Sequence, residues 1–207
     1  MKVSVGGWTA VAFLPKRKKE DGKTVMIILG IDPGIATLGF GVIEKDERGN
    51  FRAVDCGVVT TPKEEGLPVR LAMLEEGIQR ILDKYHPDEI AMEELFFSKN
   101  ITTGIAVAHA RGVILITCIK ECGKLFEYTP LQIKQALTGY GRAEKRQIQE
   151  MVKLYLNLPK IPKPDDAADA LAAAVTCSFL YREDEVLELE EFSNSRKKNR
   201  TRRSRYN

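Results

Sequence analysis

Four acidic residues stand where apolar runs end or a helix begins: Asp32 closes the run from Met26, Glu93 closes the run from Asp88, and Asp166 and Asp169 open an alanine-rich stretch. Asp166 and Asp169, three residues apart, share one face of a helix. Acids at the carboxyl ends of strands lie where open α/β sheets bind ligands. Brought together without partners, four carboxylates repel strongly at short range, and bound cations are the natural means of holding them. Oxygen donors with no cysteine or histidine among them suit magnesium, with manganese as a substitute. Two such ions about 4 Å apart activate a water on one side of a phosphodiester and stabilise the leaving oxygen on the other. That is the chemistry of a metal-dependent nuclease.

Each acid also has a plainer reading when taken singly. Asp166 and Asp169 suit the first turn of a helix through the helix dipole. Asp32 suits the turn that Pro33 and Gly34 announce, and Glu93 suits a strand end that reaches solvent. Glu94 rivals Glu93, but side chains alternate faces along a strand, so only one of the two can join the others.

The elements that must position these acids follow from periodicity and punctuation. Met26–Ile31 predicts a short buried strand stopped by Asp32-Pro33-Gly34. Gly39–Glu44 and Phe51–Thr60 predict two further strands of a meander, joined through Asp46–Asn50. Leu67, Leu71, Leu74, Ile78, Ile81 and Leu82 recur at helical spacing, and the helix closes at Tyr85-His86-Pro87. Asp88–Glu93 predicts a fourth strand, made parallel to a neighbour by the helical crossover. Asn100 is the expected N-cap of a helix reaching about Cys122, in which Gly104, Ala108 and Gly112 form a small-residue ridge. That ridge either packs on the protein's own sheet or pairs with a second copy. Lys124–Tyr128 predicts a fifth strand, and Thr129-Pro130-Leu131-Gln132 a capping box opening a helix that stops at Gly139. Ile148, Met151, Val152, Tyr155 and Leu156 mark another helix, and Asp165 is the expected N-cap of a last one, Asp166 to about Leu180. The fold class is α/β, with a five-stranded mixed sheet flanked by helices.

The 207 residues accommodate one domain of roughly 150 residues. No apolar run approaches the roughly 20 residues of a membrane span. The basic cluster Lys16–Lys19 follows the apolar stretch Trp8–Pro15, the reverse of a signal peptide. Cys56, Cys118, Cys122 and Cys177 lack the spacing of a zinc site, and a reducing cytoplasm is the simpler home. Net charge is only +3, but Arg196, Lys197, Lys198, Arg200, Arg202, Arg203 and Arg205 concentrate positive charge at the end, after the acidic Glu183–Glu191. This tail is read either as a solubilising segment or as a phosphate-binding arm.

An ordered set of motifs is similar to the RuvC family of crossover-junction endodeoxyribonucleases. The set comprises Ile31-Asp32-Pro33-Gly34, Met92-Glu93-Glu94-Leu95-Phe96, Ser98-Lys99-Asn100, Ala110-Arg111-Gly112, Phe126-Glu127-Tyr128, Ala143-Glu144-Lys145 and Asp166-Ala167-Ala168-Asp169. The resemblance runs from Met26 to about Leu180. It implies a ribonuclease H-like fold, magnesium dependence, a homodimer acting on Holliday junctions, and paired symmetric nicks in recombination and repair. By the same resemblance Asp32, Glu93, Asp166 and Asp169 are the catalytic metal ligands, and Glu93 rather than Glu94 takes the role. Phe96 matches the aromatic residue that engages bases near the crossover, where stacking on unpaired bases is available. Lys134 and Lys145 match lysines near the substrate phosphates, where positive charge both binds DNA and assists catalysis, and Lys99 and Arg111 fall in its DNA-binding motifs. RuvA and RuvB, the branch-migration machinery, are the implied further partners.

The chain departs from that pattern at both ends. Residues 1–25 precede the usual start and are expected to be disordered or to be no part of the natural chain, since Met26 is itself a plausible initiator. Residues 26–181 form the nuclease domain, and 182–207 are expected to be a charged, disordered tail. Three other functions were open. Gly30-Ile31-Asp32-Pro33-Gly34 with Gly39 and Gly41 resembles the phosphate-binding hairpin of actin-like and sugar-kinase ATPases, but the chain is too short to supply their second domain. A junction-binding protein that does not cut conflicts with retention of all four acids. A ribonuclease H-like nuclease for another branched or RNA-containing substrate is the nearest rival, because fold alone does not fix substrate.

Overall fold

The computed structural model describes residues 3–5, 8–10, 17–18, 24–94 and 101–180. Its main sheet is built from β4 (Thr24–Asp32), β5 (Thr37–Asp46), β6 (Phe51–Thr60), β7 (Glu89–Glu93) and β8 (Phe126–Tyr128) in the order β6-β5-β4-β7-β8. β4, β5 and β6 form the expected antiparallel meander, and β7 and β8 run parallel to β4. The mixed five-stranded sheet read from the sequence is therefore present.

Three short strands precede β4. β1 (Val3–Val5) pairs with β2 (Trp8–Ala10), and β3 (Arg17–Lys18) adds to the start of β4 as a short sixth strand.

Five helices complete the described chain: α1 (Leu67–Tyr85), α2 (Ile101–Cys122), α3 (Pro130–Thr138), α4 (Lys145–Tyr155) and α5 (Asp165–Leu180). Thr129 and Gln132 make the predicted capping box at α3, and Gly139 ends that helix in the left-handed conformation. Asp165 is not an N-cap as expected; it already lies inside the first turn of α5. Asn100 lies outside the described residues.

Alternation along the strands splits the core in two. Ile27, Leu29, Ile31, Ile90 and Met92 face α1 and α2, where they meet Leu74, Ile78, Ala110 and Ile114. Ile28, Ile43 and Ala91 face the other way, onto Leu171 and Ala172–Val175 of α5 and then Ile133, Leu137, Ile148 and Val152 of α3 and α4. The small-residue ridge of α2 does not pack on the sheet as a whole, because Gly112 is exposed with no neighbour within reach of an added methyl group. α2 uses the opposite stripe, Ala110, Ile114 and Cys118, for that contact.

α5 sits unusually close to the sheet. Gly30 and Gly41 are cross-strand partners, as are Asp32 and Gly39. A methyl group added at Gly30 would fall 1.9 Å from the main-chain oxygen of Ala170, and one at Gly41 would fall 2.7 Å from Leu171. Glycine on the strands and alanine on the helix thus bring backbone against backbone. The start of α5, with its two acids, is drawn down to the end of β4.

Candidate active site

The β4–β7 ladder runs in register to Ile31 and Met92, so Asp32 and Glu93 are the next residues on two neighbouring parallel strands. Ile31 and Met92 face α1 and α2; alternation turns Asp32 and Glu93 to the α5 face. The same alternation sends Glu94, which is exposed, the other way. The two rivals thus face opposite sides of the sheet, with Glu93 on the side of α5. Asp166 and Asp169 arrive at this corner from the first turns of α5, with the positive end of the helix dipole beneath them.

The electrostatics report the convergence. Burial pushes the Asp32 carboxyl up to about 7, and the neighbouring charges of Glu93, Asp169 and Asp166 add to that rise against the opposing pull of Lys145. Glu93 is also raised, first by burial and then by Asp169, while Lys145 and Lys134 oppose the shift. Asp169 is raised by burial, despite its hydrogen bond from Lys145.

Lys145 stands at the start of α4 and donates to Asp169 Oδ2 at 2.7 Å; its Nζ is 3.6 Å from Asp165 Oδ2. Burial works against the charged Lys145, but the hydrogen bond and charge of Asp169, with Asp165 and Asp32, raise its pKa overall. Lys134 of α3 joins Lys145, Glu93 and Asp169 in one cleft floored by Ile133 and Ile148.

The carboxylates share a field but are not closed around a point. Among the described residues no three acidic, histidine or cysteine side chains stand close enough to grip an ion as placed. Their donor chemistry nevertheless fits a hard divalent cation: oxygen only, partly buried, with repulsion that a cation would relieve.

The remaining expected site residues divide into two groups. Phe96 and Lys99 lie outside the described residues, as does the basic tail. Arg111 is described, and it turns inward: Nη1 donates to the main-chain oxygen of Glu93 at 3.0 Å, and Nη2 pairs with Glu127. The sequence reading missed Asp165 as a lysine partner and Gly30, Gly39 and Gly41 as the seat of α5. The available signal was Gly30 on one strand and Gly39 and Gly41 on its neighbour, the latter two residues apart and therefore on one face, matched by an alanine-rich helix.

Residues 28–177 match the family described as crossover junction endodeoxyribonuclease RuvC. Proteins of that description share 53% identity over 150 residues in Clostridioides difficile strain 630, covering 72% of this chain and 88% of that protein. The one from Caldicellulosiruptor saccharolyticus shares 51% over 166 residues, covering 78% of this chain and 100% of that protein. Among solved structures, Thermus thermophilus RuvC in complex with Holliday junction substrate superposes with a TM-score of 0.70 at 34% identity, covering 74% of this chain and 93% of that one. The yeast mitochondrial Holliday junction resolvase Ydc2, at 16% identity and a TM-score of 0.55, shares the fold.

Proposed function

The chain belongs to the RuvC family of crossover junction endodeoxyribonucleases, and on that premise we propose that it resolves Holliday junctions by paired symmetric nicks, in recombination and repair. The observation that carries this reading is the convergence of four acids at one corner: Asp32 and Glu93 follow directly on adjacent parallel strands, and Asp166 and Asp169 reach them from the start of α5, which is seated against Gly39, the cross-strand partner of Asp32.

Asp32, Glu93, Asp166 and Asp169 would hold two magnesium ions, with manganese able to substitute. Bound there, such ions supply an activated water for in-line attack and neutralise the charge that develops on the phosphodiester. The chain's own residues do the rest. Asp32 and Glu93 are fixed to the ends of adjacent strands, which keeps their spacing independent of any loop. Lys134 and Lys145 face the same cleft and offer positive charge to the nonbridging phosphate oxygens. Phe96 and Lys99 are assigned to the DNA near the crossover by family resemblance alone.

A second copy of the chain completes the proposed assembly, because a junction with two-fold symmetry requires two cuts and each chain carries one site. The face of α2 turned away from the sheet supports this: Ile105, Ile116 and Ile119 are 52%, 46% and 41% exposed and line up with Gly112. The RuvA–RuvB branch-migration complex is a further proposed partner, on family membership. Among the described residues no helix is long and apolar enough to cross a membrane. Cytoplasmic residence is proposed on family membership.

The deciding experiment compares a synthetic four-way junction with a linear duplex of equal length, in magnesium and in chelator, using wild type and Asp32→Asn. Paired symmetric nicks confined to the junction, and lost in chelator and in the variant, are expected. Binding without cutting would leave a junction-binding protein, and equal cutting of both DNAs would leave a nuclease with a different substrate.

A further inference from the structure

Arg111 projects from α2, on the side of the sheet opposite the carboxylates. Its guanidinium spans two anchors. Nη1 donates to the main-chain oxygen of Glu93 at 3.0 Å, with Met92 Sδ at 3.5 Å, and Nη2 is paired with Glu127 of β8. The Arg111 side chain is 13% exposed, so the cation is held where only good partners offset its lost hydration.

The Glu93 carbonyl has particular need of this donor. The next main-chain group, the Glu94 N–H, donates to the Tyr128 oxygen on β8 at 2.8 Å. Successive residues of a strand present their main-chain groups to alternate sides. The Glu93 carbonyl therefore faces β4, where the ladder ends at Ile31 and Met92 and the residue that would supply the next donor is Pro33. Proline has no N–H to give. Left alone, this carbonyl would be an unmatched acceptor at the root of a metal-binding side chain.

We infer that Arg111 is a positioning residue for Glu93: by holding the Glu93 carbonyl from behind the sheet and tying it to Glu127, it fixes the direction in which the Glu93 carboxylate enters the cation site. The inference deepens the proposed function and rests on it, since it assigns Glu93 to that site. It also gives Arg111 a role other than contact with DNA. A lysine cannot replace it fully, because a single ammonium does not span both anchors with the planar fork of arginine.

The test measures Mn2+ affinity of the full chain without DNA, by electron paramagnetic resonance, beside junction affinity in chelator as a function of salt. Arg111→Ala is expected to weaken Mn2+ binding by about tenfold or more, the usual effect of removing a group that orients a ligand. Its junction affinity and salt slope are expected to match wild type. Arg111→Lys and Glu127→Gln should give intermediate Mn2+ affinities, and they decide the matter if the alanine variant does not fold. Mn2+ affinity unchanged across the folded variants, with or without a lower unfolding temperature, would reduce Arg111 to a structural residue and overturn the inference. Weaker junction binding with a shallower salt slope and unaltered Mn2+ affinity would make it a phosphate contact instead. Asp32→Asn serves as the reference: if it keeps full Mn2+ affinity, the carboxylate site itself is misassigned. If Mn2+ affinity depends on Arg111 as expected but wild type leaves junctions uncut, only the substrate reading fails.

Discussion

Gly39 and Asp166 meet backbone to backbone: a methyl group at Gly39 would fall 2.1 Å from the Asp166 main-chain oxygen and 3.1 Å from its Cβ. Gly39 is also the cross-strand partner of Asp32. One small residue thus sets the distance between two of the acids. Gly39→Ala is expected to push the start of α5 off the sheet, destabilise the chain by about 1–3 kcal/mol and lower junction cleavage by roughly 100-fold, the order of loss expected from a 1 Å misplacement. Thermal unfolding and single-turnover cleavage check both, with unchanged values for either refuting the contact.

The raised acids predict a pH dependence of the metal-free protein. A carboxyl whose folded pKa exceeds its unfolded value costs no stability when both states are protonated. The cost grows as pH rises from about 4, where the unfolded carboxyl ionises, and is complete above the folded value of about 7 for Asp32. In chelator, unfolding temperature should therefore fall between pH 5 and 8. Asp32→Asn should flatten that fall and be more stable than wild type at pH 8 by about 3 kcal/mol. Equal pH profiles for the two proteins would show that Asp32 does not carry the strain.

Lys145 is hydrogen-bonded to Asp169 at 2.7 Å and lowers the pKa of both Asp32 and Glu93. Lys145→Met should leave junction affinity within a few-fold of wild type and reduce the cleavage rate by roughly 100- to 1000-fold, the scale of losing one fixed donor at a reacting centre. The acids of the metal-free variant should titrate at still higher pH, visible in carboxyl resonances. A loss confined to binding would place the lysine on the DNA path alone.

The exposed stripe on α2 predicts the oligomeric state. Ile116→Asp should shift a dimer to monomer in sedimentation velocity while circular dichroism stays unchanged, because Ile116 is 46% exposed and belongs to neither side of the core. A dimer that survives the substitution would move the interface elsewhere.

The strands and helices were legible because alternating or helical apolar spacing marks the buried side, as in Leu74, Ile78, Ile81 and Leu82 of α1. The four acids were legible as strand-end and helix-start residues. The closeness of α5 was not, because it depends on what Gly30, Gly39 and Gly41 lack, and an absent side chain has no periodicity to read. The inward pairing of Arg111 was not legible for a related reason. A cation in a motif next to DNA-binding residues reads as a phosphate contact until the chain places a carbonyl without a ladder partner in front of it. Asp165 moved from cap to first turn, a shift of one residue at a helix boundary, where local signals are weakest.

The order in which the acids occur along the chain has a consequence for synthesis. Asp32 and Glu93 belong to strands made early, whereas Asp166 and Asp169 come on the last described helix, which fills its place only by docking onto glycines laid down more than a hundred residues before. A chain emerging from the ribosome builds its sheet with two acids and no partner for them. On the proposed assignment the four acids come together in a single late event, so a chain that ends before α5 carries only half of the cation ligands.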